Sequence, residues 1–124
     1  MAYDELSIEI TTEHRGSAVI YRLRGSLDLA TSPSVRAALL EAADDANHEI
    51  VVDLTQLEFL DSTGLGALIG AHRRALERGG KLSLIVHDGP IARLLNITGL
   101  LRVFPVYHAL EDALADQSRV NATL

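Results

Sequence analysis

Ile50-Val51-Val52-Asp53-Leu54, six connecting residues, then Asp61-Ser62-Thr63-Gly64-Leu65-Gly66: this is the stretch from which the fold is read. The first run is short, β-branched and nearly continuous in apolar residues, as expected of a strand covered on both faces. The residues after it keep helical spacing, with Leu65, Leu68, Ile69, His72 and Leu76 marking one stripe until Gly79-Gly80 stops it. Thr55 to Leu60 read as the loop between the two. A buried strand followed by an amphipathic helix is half of a βαβ unit, so the class is α/β.

The same logic extends in both directions. Upstream, Leu6, Ile8 and Ile10 alternate with polar residues, and His14 to Ser17 hold a turn around Gly16. Ala18 to Leu23 returns as a second strand, so an antiparallel hairpin opens the fold. Gly25-Ser26-Leu27-Asp28 breaks the strand pattern. Ser32 stands as an N-cap with Pro33 in the first helical position, and Val35, Ala38, Leu39, Ala42 and Ala46 form the apolar face of a helix ended by Asn47 and His48. Downstream, Lys81 to Val86 is a strand. A short helix begins at Asp88-Gly89-Pro90 and runs through Ile97, closed by Gly99. Val103 to Tyr107 is a strand limited to an edge or a strand start by Pro105. His108 to Ala115 is a last helix, and 116–124 a frayed tail.

The order β β α β α β α β α predicts one domain over 1–124. It is a mixed, mostly parallel sheet with an antiparallel N-terminal hairpin, flanked by about four helices joined through right-handed crossovers.

Composition narrows the function. The chain has 124 residues, 48% of them apolar and 23% charged, which suits a packed domain. It has no cysteine, which removes disulfides, thiolate metal sites and cysteine nucleophiles. The acidic start Met1-Ala2-Tyr3-Asp4-Glu5 does not read as a signal peptide, and no apolar run approaches the roughly 18 residues of a membrane span. The expected location is cytoplasmic. The Asn-x-Thr triplets at Asn96 and Asn121 then lack a secretory context. A net charge of −6 disfavours direct contact with nucleic acid and leaves a protein as the expected partner.

The chemistry concentrates at Asp61-Ser62-Thr63-Gly64-Leu65-Gly66. The first turn of a helix has unpaired N–H groups and the positive end of the macrodipole. A hydroxyl there has two uses. It caps the helix, which is what spacing alone favours, or it accepts a phosphate whose charge meets those N–H groups. Gly66 and Gly70 fall away from the apolar stripe. Such glycines serve where another backbone comes close, although tolerated accidents look the same.

Enzymatic readings fail on particular residues. Leu60 stands where a nucleophile elbow needs glycine, and no Gly-Lys-Ser/Thr exists for a P-loop. A dinucleotide fingerprint from Gly64 and Gly66 finds Ile69 at its third glycine and Thr55 to Thr63 between strand and glycines. His14, His48, His72, His87 and His108 lack metal-ligand spacing, and His72 on the stripe reads as a core histidine. Asp28 and Asp53 follow strands as a conceivable carboxylate pair, more simply as caps. Arg73, Arg74 and Arg78 read as a solvated helix face. The expectation is a binding module, not an enzyme, with no cofactor and no metal.

With these residues in view, the chain resembles the anti-sigma factor antagonists of the single-domain STAS family. The likeness rests on Val52 to Gly66, on Gly25-Ser26-Leu27-Asp28, and on Gly99 to Phe104 with Leu110-Glu111-Asp112-Ala113-Leu114, covering about Leu6 to Ala115. The resemblance implies a partner-switching cycle. The unmodified protein binds an anti-sigma factor that is also a serine kinase, and a sigma factor is released. Phosphorylation from ATP at Ser62 ends binding, and a serine phosphatase restores it. It also implies a docking surface around Asp28, Asp61, Ser62, Thr63, Gly64, Gly66 and Gly70. Thr63 is a second candidate acceptor. Ser26 replaces an acidic residue common at that place in the family. A non-switching STAS subunit of a larger assembly, in lipid transport or stress signalling, is the alternative function.

Overall fold

The computed structural model describes residues 7–45 and 49–123, with side chains described as far as Asp116. Leu6, the acidic start at Met1 to Glu5, and the helix end at Ala46, Asn47 and His48 lie outside the described residues.

The elements in chain order are β1 (Ile8–Arg15), β2 (Ala18–Leu27), α1 (Ser32–Asp44), β3 (Glu49–Leu60), α2 (Ser62–Glu77), β4 (Lys81–Ile85), α3 (Pro90–Ile97), a 3-10 turn (Leu100–Arg102), β5 (Val106–Tyr107) and α4 (Leu110–Thr123). The five strands form one sheet in the order β1-β2-β3-β4-β5. β1 and β2 are antiparallel, and the pairs from β2 to β5 are parallel. The hairpin turns on Gly16-Ser17, with Gly16 at φ +58°. The mixed sheet read from the sequence is the one observed.

The strands bury both faces unequally. Val19, Leu23, Ile50, Val52, Leu82 and Leu84 point into the main core, which is closed by Val35 and Leu39 of α1, Leu65 and Leu68 of α2 and Leu95 of α3. The opposite face carries a smaller cluster of Ile20, Val51 and Ile85 under Ala113 of α4. Leu76, read as part of the α2 stripe, is instead 56% exposed, because Ala75, 1% exposed, takes the buried place in the last helical turn.

The main departure from the sequence reading lies in β3. Thr55 to Leu60, expected as a loop, continue the strand beside the end of β2. The register gains one residue on β3 between Arg22/Asp53 and Arg24/Gln56, and another between Gly25/Leu57 and Ser26/Phe59. Each bulge resets the alternation. Leu54, Leu57 and Leu60, three residues apart, thereby all face the main core. β2 likewise runs through the Gly25-Ser26-Leu27 segment read as a break. At the other end, α4 continues to Thr123 rather than stopping at Ala115.

Two contacts fix α2 laterally. Arg74 pairs with Asp44 of α1 at 2.6 Å, with Arg78 3.5 Å from the same carboxylate, so two of the three expected solvated arginines form a bridge. The Arg74 guanidinium lowers the pKa of that carboxyl. On the other flank His72, 5% exposed, accepts the Leu82 N–H at Nδ1 (3.3 Å) and lies 5.0 Å from the Phe104 ring. It is the core histidine read from the stripe.

Burial holds the His72 imidazole below its ordinary pKa, and a backbone hydrogen bond with Val103 acts less strongly in the other direction. The folded chain thus takes this proton less readily than the unfolded one. The stability contributed by neutral His72 is complete above the unfolded pKa of about 6.5 and declines as pH falls through it toward the folded value. Urea unfolding should therefore show a lower midpoint at about pH 5.5 than at about pH 7.5. In H72Q this dependence should flatten; an unchanged slope in H72Q would assign it to other groups.

Candidate functional site

Where β3 ends and α2 begins, Asp61 is the sole connecting residue. Its backbone is extended, at φ −110° and ψ −177°, and it does three things at once. Its N–H donates to the Leu27 carbonyl (3.2 Å), which ties the end of β3 to the end of β2. Its own carbonyl accepts from Leu65 (2.9 Å), the first helical hydrogen bond. Its Oδ1 accepts the Gly64 N–H (2.9 Å) and caps the helix.

The cap is thus a carboxylate, and the hydroxyls are released from that duty. Ser62 and Thr63 are the first two helical residues, both exposed, with backbone N–H groups that have no acceptor within the helix. The Ser62 hydroxyl forms no hydrogen bond among the described residues. Of the two readings open in the sequence, capping belongs to Asp61.

A second turn stands beside this one, at the end of β2. Asp28 Oδ1 accepts the N–H groups of Ala30 (3.0 Å) and Thr31 (3.1 Å). Thr31 Oγ1 donates to the Ser26 carbonyl (2.7 Å) and accepts the Asp28 N–H (2.9 Å). The Asp28 carbonyl accepts from Ser32 (2.8 Å). These bonds begin α1 one residue earlier than expected: Thr31 is the N-cap, and Ser32, read as the cap, is the first helical residue.

Gly64 sits between the two turns. A Cβ on it would lie 2.7 Å from Leu27 Cγ, 2.7 Å from the Leu27 carbonyl oxygen and 2.8 Å from Leu60 Cδ1. Only a residue without a side chain lets the helix start seat against the ends of β2 and β3. Gly64 was expected on the docking surface; it is buried beneath it. A Cβ on Gly66 or Gly70 would meet nothing within 4 Å, Gly66 being exposed and Gly70 half-buried, so neither position puts a side chain on the outer flank of α2.

Asp28 and Asp61 are therefore neighbours across the Leu27 carbonyl. Asp53 is not part of this group: it lies within β3, accepts from Thr55 (2.9 Å from N, 2.7 Å from Oγ1) and has Arg22 Nε 4.0 Å away. Among the described residues no group of three His, Asp or Glu comes together in a way that could hold a metal ion. A groove of about 140 Å³ opens between the β3 edge and the start of α3, lined by Leu54, Leu57, Glu58, Val86, His87 and Ile91. Neither Gly64 nor Gly66 lines it. The sequence objection that nine residues separate strand and glycines falls, since β3 reaches Leu60. The dinucleotide reading fails because Gly64 is packed under Leu27.

The profile of the STAS domain matches residues 9–113. The chain belongs to the STAS domain family. Among curated STAS relatives, the anti-sigma F factor antagonist of Paenibacillus polymyxa is 35% identical over 112 residues, covering 90% of this chain and 96% of that one. The anti-sigma-B factor antagonist of Staphylococcus aureus is 31% identical over 106 residues, 86% and 96% of the two chains. Among solved structures, an anti-sigma factor antagonist from Mycobacterium paratuberculosis superposes with a TM-score of 0.81 at 28% identity, covering 88% of this chain and 92% of the other. No helix among the described residues is long and apolar enough to cross a membrane.

The sequence reading missed Leu29 and Phe59, large apolar side chains left 73% and 52% exposed at this end of the sheet. The signal was a large apolar residue inside the turn Asp28-Leu29-Ala30-Thr31, and another outside the Leu54, Leu57, Leu60 series.

The geometry separates the glycines by experiment. G64A should lose about 1–3 kcal/mol in urea unfolding, as overpacked sites do. G66A should hold its stability or gain up to about 1 kcal/mol from helix propensity, since its Cβ enters open space.

Proposed function

We propose that this STAS protein is an anti-sigma factor antagonist, regulated by phosphorylation of Ser62. In its unphosphorylated form it binds an anti-sigma factor that is also a serine kinase, and a sigma factor is freed. The observation that carries the reading is the exposed Ser62 hydroxyl at the first position of α2, with capping supplied by Asp61.

In the modifying step the Ser62 oxygen attacks the γ-phosphorus of ATP held by the kinase. The new Oγ–P bond forms as the bond to the ADP oxygen breaks, and the hydroxyl proton passes to a base of the kinase. This chain is the substrate and the ligand in that exchange, not the catalyst. A serine phosphatase reverses it by hydrolysis. The setting is the cytoplasm, where the kinase has ATP.

The charge arithmetic supports a switch. The phosphate brings about −1.5 to −2 charges at pH 7. The N–H groups of Ser62 and Thr63 and the helix dipole stabilise it locally, so the fold tolerates it. A partner closing over the same surface must desolvate it next to the Asp61 carboxylate. A differential of about 1–3 kcal/mol between the two states is enough to exchange partners. Thr63, exposed at the next position, is the second acceptor to be tested.

Incubation with the kinase and ATP should add one phosphate, mapped by mass spectrometry to Ser62. S62A should stay unmodified and still bind the anti-sigma factor, and S62D should bind more weakly. Modification at Thr63 alone would move the switch by one residue. A complex that co-purifies unchanged before and after phosphatase treatment would replace the switch with a non-switching subunit role.

A further inference from the structure

The Ser62 surface has two features that neither the helix start nor its glycines account for. Leu29 and Phe59 are exposed large apolar side chains, and both stand at the junction that joins β2 to α2. Leu29 lies two residues beyond Leu27, whose carbonyl accepts the Asp61 N–H. Phe59 lies two residues before Asp61 and is opposite Ser26 in the sheet. The other large exposed apolar side chains, Leu76, Ile97, Leu101 and Val103, belong to the opposite end of the parallel strands.

Neither residue is on a loose segment. The Leu29 backbone is enclosed by the Asp28–Thr31 bonds, and the N–H on its far side, that of Ala30, is bound by Asp28 Oδ1. Phe59 is in a paired strand. Side chains displayed from fixed backbone lose little freedom on association, which is what interface anchors need.

The charge around them is acidic in excess. Residues 25–35 and 55–71 contain Asp28, Glu58 and Asp61 and no Lys or Arg, and of the two exposed arginines at their border, Arg24 and Arg36, Arg24 has Glu9 3.9 Å away. Two apolar projections with a rim acidic in excess fit a partner face with two apolar hollows bordered by basic side chains.

We infer that Leu29 and Phe59 are the anchors that the anti-sigma factor grips, and that this partner's contact face is basic. The inference rests on the function proposed above. A phosphate on Ser62 then falls within the same contact as the anchors, so the desolvation that makes them useful is what makes the phosphate intolerable.

The test measures binding of the full chain to the purified anti-sigma factor kinase that modifies it, by calorimetry, with urea unfolding as the control for folding. L29A and F59A should each weaken binding by about tenfold or more, the size expected of anchors, with stability unchanged. In kinase assays both should raise KM for the chain and leave kcat unchanged. Wild-type affinity should fall as ionic strength rises. Affinities of L29A and F59A within twofold of wild type, with wild type binding normally, would overturn the anchors and leave the proposed function intact. Affinity indifferent to salt would overturn the basic face. Absence of binding by wild type itself would end both readings.

Discussion

The close approach of the α2 start to the end of β2 is the contact on which the functional end of the molecule depends. It is possible because Gly64 presents no Cβ to the Leu27 carbonyl and to the Leu27 and Leu60 side chains. With helix and strand ends in contact, the Asp61 N–H reaches the Leu27 carbonyl, and the same residue's carboxylate reaches back to the Gly64 N–H. Two crossover turns that would otherwise be independent become one rigid edge. Asp28, Leu29, Phe59, Asp61 and Ser62 are then fixed relative to each other by backbone, not by a side-chain network that would have to form anew on binding.

Much of this was legible in the sequence because two periodicities changed at visible places. The run Ile50 to Leu54 and the helical spacing from Leu65 are strong signals, and the parallel crossover follows from them. What stayed hidden has a physical reason in each case. Leu54, Leu57 and Leu60 are spaced by three, which fits neither a regular strand nor a loop, and only two bulges reconcile that spacing with one buried face. Register shifts depend on the partner strand, so no local window contains them. The caps were misassigned for a similar reason. Ser32 and Ser62 are sound N-cap residues by type, but Thr31 and Asp61 stand one residue earlier at the positions the two strands leave for them. Leu76 fits the stripe by spacing but is exposed, since Ala75 fills the buried place in that turn.

The candidate residues divide by depth. Ser62, Thr63 and Gly66 lie at the surface, with Gly70 half-buried, while Gly64 is a packing residue whose presence in the motif reports on the architecture underneath. A motif read as one functional unit is thus two layers. The outer layer is the one open to the proposed partner, and the inner one holds the outer in place.

The assignment of the cap to Asp61 has a consequence for the life of the protein in a cell. Because the helix is secured by a neighbouring carboxylate, esterifying the Ser62 oxygen removes no hydrogen bond that the fold uses. Modified and unmodified chains would then unfold with similar free energies, and quality-control proteases that sample the unfolded population would meet both alike. The message would be written in the ratio of the two forms and not in their total amount, so a cell could reset it within one round of transfer and hydrolysis, without waiting for synthesis or turnover.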